Sequence, residues 1–566
     1  MKLNLPGEIM MVGFKGDKIS PAVVEAIMDW KVGGVILFGR NIRSPRQVAE
    51  LCHRLQRLHS LVSFTPLLIA VDQEGGPVAR FREGVTDFPG NLALGRVAGE
   101  REAYRQGKIT GRELFRLGVN MNLAPVLDLY SPAGSSATGL RSLGSRPDRV
   151  AALGASLIRG MGDKGLIATA KHFPGKGRAR VDSHRRLPVI TATRSEMRAR
   201  ELIPFQAAIS AGVKAIMTSH AAYPAWDGGK IQPATFSKAI LTNLLRKRLG
   251  YKGLIITDDL GMGAVRSQLS PEEGALRALR AGADLLLYCH SHRGQKRLFN
   301  TLSAATRKDH RLRRRVEESA ARIRRIKAEL PPYPRRLPSS IKKDALGERI
   351  ARRAITLLRD RSSILPLKPR RRLYLVSFSA AGMVEVEEKN DREEQLDFYL
   401  SGRGFSVKTF RLPASPPRRE QERTLSSAFS SGQLIIASAD SCRHPAQKTL
   451  IRKLLRRHPA AILIALKDPR DGLIFPEART VLLSFGYSPP SLQALAEVIS
   501  GEQIPRTDSV KLDGFPEEQG VAGRSREEQG IAGRRTGGER EENGRRTGGE
   551  REEGGFDQPL IEIPNN

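Results

Sequence analysis

Residues 233–262 read PATFSKAILTNLLRKRLGYKGLIITDDLGM. Lys238–Leu249 has the spacing of a helix with one buried face. Leu254–Thr257 is a short apolar run of the kind that forms a buried strand. That strand ends in two adjacent carboxylates, Asp258 and Asp259. A helix that feeds an apolar strand is part of a parallel βαβ repeat.

The same unit recurs on either side. Apolar runs at Ile9–Phe14, Gly34–Phe38, Leu67–Val71, Met121–Val126, Leu166–Ala170, Lys214–Met217 and Ala283–Tyr288 complete a set of eight strand candidates. Helical patterns lie between them, at Gln47–His59, Glu102–Leu117, Asp148–Lys164, Ser195–Ala211 and Pro271–Ala281. Eight alternating units in residues 1–330 predict a closed (β/α)₈ TIM barrel. The residues just after the strands are Asp72, Asp128, Lys171, His172, His220 and Asp258. Polar residues there can be turn formers or helix caps. Two histidines and a lysine on one rim exceed what capping requires, and that rim is where barrel enzymes build their sites.

Residues 331–345 (PPYPRRLPSSIKKDA) read as a linker. A smaller layered α/β domain follows over 346–503, with strands at Leu373–Phe378, Gln433–Ala437, Ala461–Leu466 and Thr480–Phe485. Residues 504–566 are dominated by Gly, Arg and Glu, with RTGGEREE repeated. Such a segment cannot bury enough apolar surface to offset its ordering entropy, so a disordered tail is expected.

Hydrophobic residues make up 40% of the 566, enough for a large core. The net charge of +34 is scattered and not interleaved with aromatics, so a nucleic-acid partner is not expected. Cys52, Cys289 and Cys442 are odd in number and far apart, which argues against a disulfide framework and a clustered zinc site. No apolar run reaches membrane-spanning length, and the N-terminus lacks a secretory h-region. A cytoplasmic protein without membrane, metal or cofactor is the expectation.

Three segments carry chemistry. In KHFPGKGRARVDSHRRLP, Lys171–Pro188, Asp182 stands two residues from His184. In an extended loop both point the same way, so the carboxylate can orient the imidazole for proton transfer. A loop hydrogen bond without a catalytic role fits the same spacing. In GLIITDDLGM, one of Asp258 and Asp259 can face the barrel mouth as a nucleophile. Asp259 can be only a helix cap. Asp258 with His184 supplies the carboxylate and proton donor that glycoside cleavage requires. In IAVDQEGGPVARF, Asp72 and Arg80 can hold sugar hydroxyls or pair with each other.

VDQEGGPVARF, NMNLAPVLDL, GLRSLGSRP, KHFPGKG with DSH, MTSHAAYPA, the opening 30-residue stretch and ALRAGADLLL occur in this order. Together they resemble the β-N-acetylhexosaminidases of glycoside hydrolase family 3 over residues 1 to 330. The second region is similar to the α/β/α sandwich of many family members. The resemblance implies Asp258 as nucleophile, His184 as acid/base and Asp182 as its partner. It also implies that Asp72, Arg80, Arg141, Lys171 and His172 hold an N-acetylglucosamine (GlcNAc) unit. The implied reaction removes non-reducing terminal β-linked GlcNAc through a glycosyl-aspartate, with peptidoglycan-derived fragments as substrate.

One departure stands out. Where the family reads KHFPGHG followed by Asp, this chain has Lys176, Gly177, Arg178, Ala179 and Arg180. Fixed positive charge replaces titratable groups in the loop that carries His184, which bears on substrate and pH optimum more than on mechanism. Two other readings follow. Lys176, Arg178, Arg180, Arg185 and Arg186 could draw inorganic phosphate for phosphorolysis. The altered loop and the +34 charge could also mark a non-catalytic carbohydrate- or nucleic-acid-binding protein.

Overall fold

A computed structural model of the chain describes residues 5–131, 138–184, 186–333, 341–379, 395–427, 429 and 431–507. Most of the expected linker (334–340) and the tail from 508 onward lie outside the described residues.

Eight parallel strands form the first sheet: β1 (Met10–Gly13), β2 (Gly34–Leu37), β3 (Leu68–Val71), β4 (Met121–Asn122), β5 (Ile167–Phe173), β6 (Ala215–Thr218), β7 (Leu254–Ile256) and β8 (Leu286–Tyr288). Their order is β8-β1-β2-β3-β4-β5-β6-β7. A single bridge, Ile256 to Leu285, brings β7 back to the β8 side and nearly closes the ring. β1, β2, β3, β6, β7 and β8 are buried along their length and apolar but for Thr218, as suits parallel strands covered on both faces. This is the expected barrel, with all eight apolar runs in place.

Two local differences matter. β5 runs past Ala170, so Lys171 and His172 lie inside the strand rather than after it. Its register with β6 shifts between Lys171 and Phe173, a bulge of the type that re-aims side chains beside active sites. The expected helix Ser195–Ala211 is two helices, Arg194–Ala199 and Leu202–Ser210. Pro204 is the reason: inside one continuous helix it would remove a hydrogen bond and clash with the preceding turn. With a break at Arg200 it falls in the first turn of the second helix, where no N–H is needed.

The second sheet has six strands: β9 (Thr356–Asp360), β10 (Arg372–Phe378), β11 (Ser406–Leu412), β12 (Gln433–Ser438), β13 (Ile462–Ala465) and β14 (Thr480–Leu483). The order is β9-β14-β13-β12-β10-β11, parallel except for β9. β9 and β11, the two edges, go beyond the four strands read from sequence. The residues of β11 are mostly exposed or half-buried, so they carry no continuous apolar run. Arg506 pairs with Thr356, three residues into the segment assigned to the tail. The sheet region packs on the barrel: Arg353 pairs with Glu102 and donates to the Val97 carbonyl at 2.6 Å. Among the described residues no helix is long and apolar enough to cross a membrane.

Candidate active site

A cavity of about 780 Å³ opens at the C-terminal ends of the barrel strands. Asp72, Arg80, Arg141, Lys171, His172, His184 and Asp258 all line it. Asp182 lies directly behind His184. Every site residue expected from sequence is therefore gathered at one place.

One wall is a buried charge lattice. The Lys171 ammonium lies 2.7 Å from Asp72 Oδ1 and 2.7 Å from Glu74 Oε1. Arg141 donates Nε and Nη2 to the two oxygens of Glu74, each at 2.8 Å. Arg80 faces Asp72 at 3.7 Å. Burial works against charge on Glu74, but Arg141 and Lys171 outweigh it and hold the carboxyl well below the usual carboxylate range. Glu74 went unrecognised in the sequence. Its signal was the position two residues after Asp72, which turns it toward the same cations.

Next to the lattice, Asp128 organises the strand end. Its Oδ2 lies 2.7 Å from His172 Nδ1, and its Oδ1 accepts the Lys176 N–H at 2.7 Å. The ring of His172 is thereby fixed, with Nε2 turned toward Asp258 Oδ2 at 3.9 Å. Burial, with help from Lys176, pushes His172 well below its ordinary pKa, against the pull of Asp258. Asp128 was visible as a strand-end residue, but nothing in the sequence tied it to His172.

Asp258 follows β7. Its Oδ1 accepts the Asp259 N–H at 2.9 Å. Burial opposes its ionisation, yet the field of His172, His220, Lys176 and His184 prevails, and the carboxyl ionises well below the usual range. Burial lowers the pKa of Lys176 itself, against the pull of Asp258 and Asp128. Asp259 is not a helix cap, because the next helix, Gly263–Arg266, starts after Met262. Its Oδ1 accepts N–H groups from Gly261 (3.0 Å) and Cys289 (3.2 Å), which ties the β7 loop to β8. Burial, then the charge of Asp258, pushes Asp259 up to about 6. His220 has Nδ1 at 2.8 Å from Thr235 Oγ1 and Nε2 at 3.1 Å from the Asp259 carbonyl. Both nitrogens are engaged in holding loops.

The loop after β5 closes the site. Asp182 Oδ1 lies 2.7 Å from His184 Nδ1 and also accepts the His184 N–H at 3.0 Å. Burial opposes charge on Asp182, but the His184 hydrogen bond and charge, with Lys176, hold it well below the carboxylate range. The carbonyls of Ser183 and His184 accept N–H groups from Ala264 and Gly263, at 3.1 and 3.0 Å. The imidazole is thus seated on the segment that follows Asp258.

The basic residues of the altered loop part ways. Lys176 is buried, 4% exposed. Arg178 turns away, with Nε on Glu201 at 2.7 Å and Nη1 3.7 Å from Glu196. Arg178 and Arg180 line a separate cavity of about 680 Å³. Arg186 is exposed, and Arg185 lies outside the described residues. Among the described residues no three His, Cys, Asp or Glu side chains stand close enough to hold a metal ion.

A profile described as the glycosyl hydrolase family 3 N-terminal domain matches residues 5–326. The chain belongs to glycosyl hydrolase family 3. It is 34% identical over 334 residues to β-hexosaminidase A of Pseudoalteromonas piscicida, covering 55% of this chain and 56% of that one. It therefore spans only about half the length of that relative. A β-hexosaminidase of Thiobacillus denitrificans is 39% identical over 287 residues, 50% of this chain and 78% of its own. A family 3 β-N-acetylglucosaminidase from Paenibacillus sp. FPU-7 superposes with a TM-score of 0.83 at 34% identity, covering 89% of this chain and 98% of its own. Family and relatives together mark the chain as a glycoside hydrolase, similar to β-hexosaminidases.

Proposed function

We propose that the protein is a retaining β-N-acetylhexosaminidase that removes non-reducing terminal β-linked GlcNAc. The observation that carries this reading is the pairing of an ionised Asp258 with the Asp182–His184 dyad on one cavity. Asp72, Arg80, Arg141, Lys171 and His172 would hold the sugar hydroxyls through charge-assisted hydrogen bonds.

In the first step an oxygen of Asp258 bonds to the anomeric carbon as the glycosidic C–O bond breaks. His184 Nε2 gives its proton to the leaving oxygen, while Asp182 accepts from Nδ1–H and stabilises the ring. In the second step His184 takes a proton from water, whose oxygen attacks the anomeric carbon and releases Asp258. Two inversions give net retention. A cytoplasmic role on peptidoglycan-derived fragments belongs to the same proposal. Three unpaired cysteines, in keeping with a reducing compartment, support the location. Two of the five cations that motivated phosphorolysis, Arg178 and Arg180, border another cavity, which weighs against that reading.

The test is turnover of p-nitrophenyl β-GlcNAc against the β-glucoside, with and without phosphate, with NMR of the first-formed anomer. Selective release of β-GlcNAc is expected. An α-anomer sinks the retaining mechanism, equal turnover of the glucoside sinks the sugar assignment, and GlcNAc-1-phosphate replaces hydrolysis by phosphorolysis.

A further inference from the structure

Asp468 lies just past the C-terminal end of β13, on the edge of the second sheet where open parallel sheets place functional residues. It is buried. Its Oδ1 accepts the Arg470 N–H at 3.0 Å and the Arg470 Nε–H at 2.9 Å. The same Oδ1 accepts the hydroxyl of Tyr130, a barrel residue, at 3.1 Å. Tyr130 and Asp468 are both buried. Burial opposes charge on Asp468, but Arg470 outweighs it and keeps the carboxylate ionised. Burial pushes the Tyr130 phenol well above its ordinary value, so it stays a donor. The result is a charge-assisted hydrogen bond between the two sheet regions, stronger than a neutral one.

Tyr130 ends the barrel segment on which the acid/base loop rests. Leu127 N–H donates to the Lys171 carbonyl at 2.7 Å. Asp128 holds the His172 ring and the Lys176 N–H. The carbonyl of Leu129 lies so close to Gly177 that an added Cβ would stand 1.9 Å from it. Leu127 and Asp128 thus hold Lys171, His172 and Lys176, Leu129 lies against Gly177, and the fourth residue, Tyr130, is anchored on the other sheet region.

We propose that Asp468 and Tyr130 are positioning residues for the proton-transfer loop, through which the second region braces Leu127–Tyr130 and, beyond it, the loop ending at His184. The inference rests on the glycosidase reading above. A brace of this kind serves acid catalysis more than sugar binding. Its loss should therefore hurt substrates whose leaving group needs a proton and spare those whose leaving group does not.

The experiment compares wild type, Tyr130→Phe, Asp468→Asn and the double variant of the full chain on methyl and 2,4-dinitrophenyl β-GlcNAc. For the methyl glycoside kcat/KM should fall about tenfold in each single variant, part of what general acid catalysis contributes. The double variant should be no worse than either single one, as expected for one shared interaction. The dinitrophenyl glycoside should stay within about twofold. Equal losses on both substrates, or none on either, overturn the proposal. Hydrogen exchange of residues 171–184 gives an activity-independent reading: protection should drop in Asp468→Asn, and unchanged protection overturns the brace. If wild type turns over neither glycoside while exchange still responds, the glycosidase reading fails and the brace stands.

Discussion

Asp258 and Asp468 hold comparable places in two different sheets, each at the end of a parallel strand. Asp258 is half-buried and Asp468 buried, each lies just beyond an apolar strand, and each ionises more readily than usual. Around Asp258 the barrel leaves a cavity of about 780 Å³, and the neighbouring imidazole Nε2 of His172 stands off at 3.9 Å. Around Asp468 the space is filled by Arg470 and Tyr130. One carboxylate keeps an edge open to a reacting carbon. The other spends its lone pairs on partners and becomes a joint. An acid at the end of an apolar strand is therefore not by itself a catalytic signal; the difference lies in whether the fold fills its surroundings.

The largest test of that contrast is Asp258→Ala. If the open carboxylate is the nucleophile, kcat on an aryl β-GlcNAc should fall on the order of 10⁴-fold or more, with the fold intact by circular dichroism. Retention of even about a tenth of the wild-type rate would make Asp258 another structural acid like Asp468.

His184→Ala should cost roughly 10²–10³-fold in kcat, the range of a lost general acid and base. The loss should be greatest with alkyl leaving groups. A change confined to KM would move His184 from proton transfer to binding.

Glu74→Gln probes the paired wall on the sugar side of the same cavity. It leaves the Lys171 and Arg141 cations short of a buried partner, for about 3 kcal/mol of lost stability. KM should rise more than kcat falls, because the wall binds and does not react. Denaturant unfolding and steady-state kinetics check the two halves, and an unchanged midpoint would mean water replaces the lost charge.

The smallest effect concerns Asp471, whose carboxyl accepts the Ser441 N–H at 3.0 Å and its hydroxyl at 2.7 Å in the second region. Burial, with the nearby Asp468, pushes it up to about 6, against about 3.9 for an unfolded aspartate. With the folded value raised, its contribution to stability is fully present below about pH 4 and is lost as pH rises through about 6. The Tm of wild type relative to Asp471→Asn should therefore fall by a few degrees between about pH 4 and about pH 7. A difference that stays flat with pH would place the proton elsewhere in the Asp440–Asp468–Asp471 group.

The barrel was legible because eight apolar runs separated by amphipathic stretches leave few other folds. Asp72, Lys171, His172 and Asp258 were legible because strand ends converge on one rim. Asp182 and His184 could be paired because they stand two residues apart, although a turn joins them in place of the expected extended loop, with Arg186 N–H on the Asp182 carbonyl at 3.2 Å. Glu74 was missed although it stands two residues after Asp72, because its partners Lys171 and Arg141 lie far along the chain. The β11 edge strand was hidden because half-exposed residues carry no apolar signal.

By itself, then, the sequence determined what depends on local periodicity and short spacing: the alternating strands and helices, the rim of polar residues and the Asp182–His184 dyad. Only the tertiary structure decided what depends on residues far apart in the chain. It buried Lys176, turned Arg178 out to Glu201, and joined Tyr130 to Asp468 across 338 positions. The physical reason is that a side chain's charge and reach are local properties, whereas its burial and its partners belong to the packed whole.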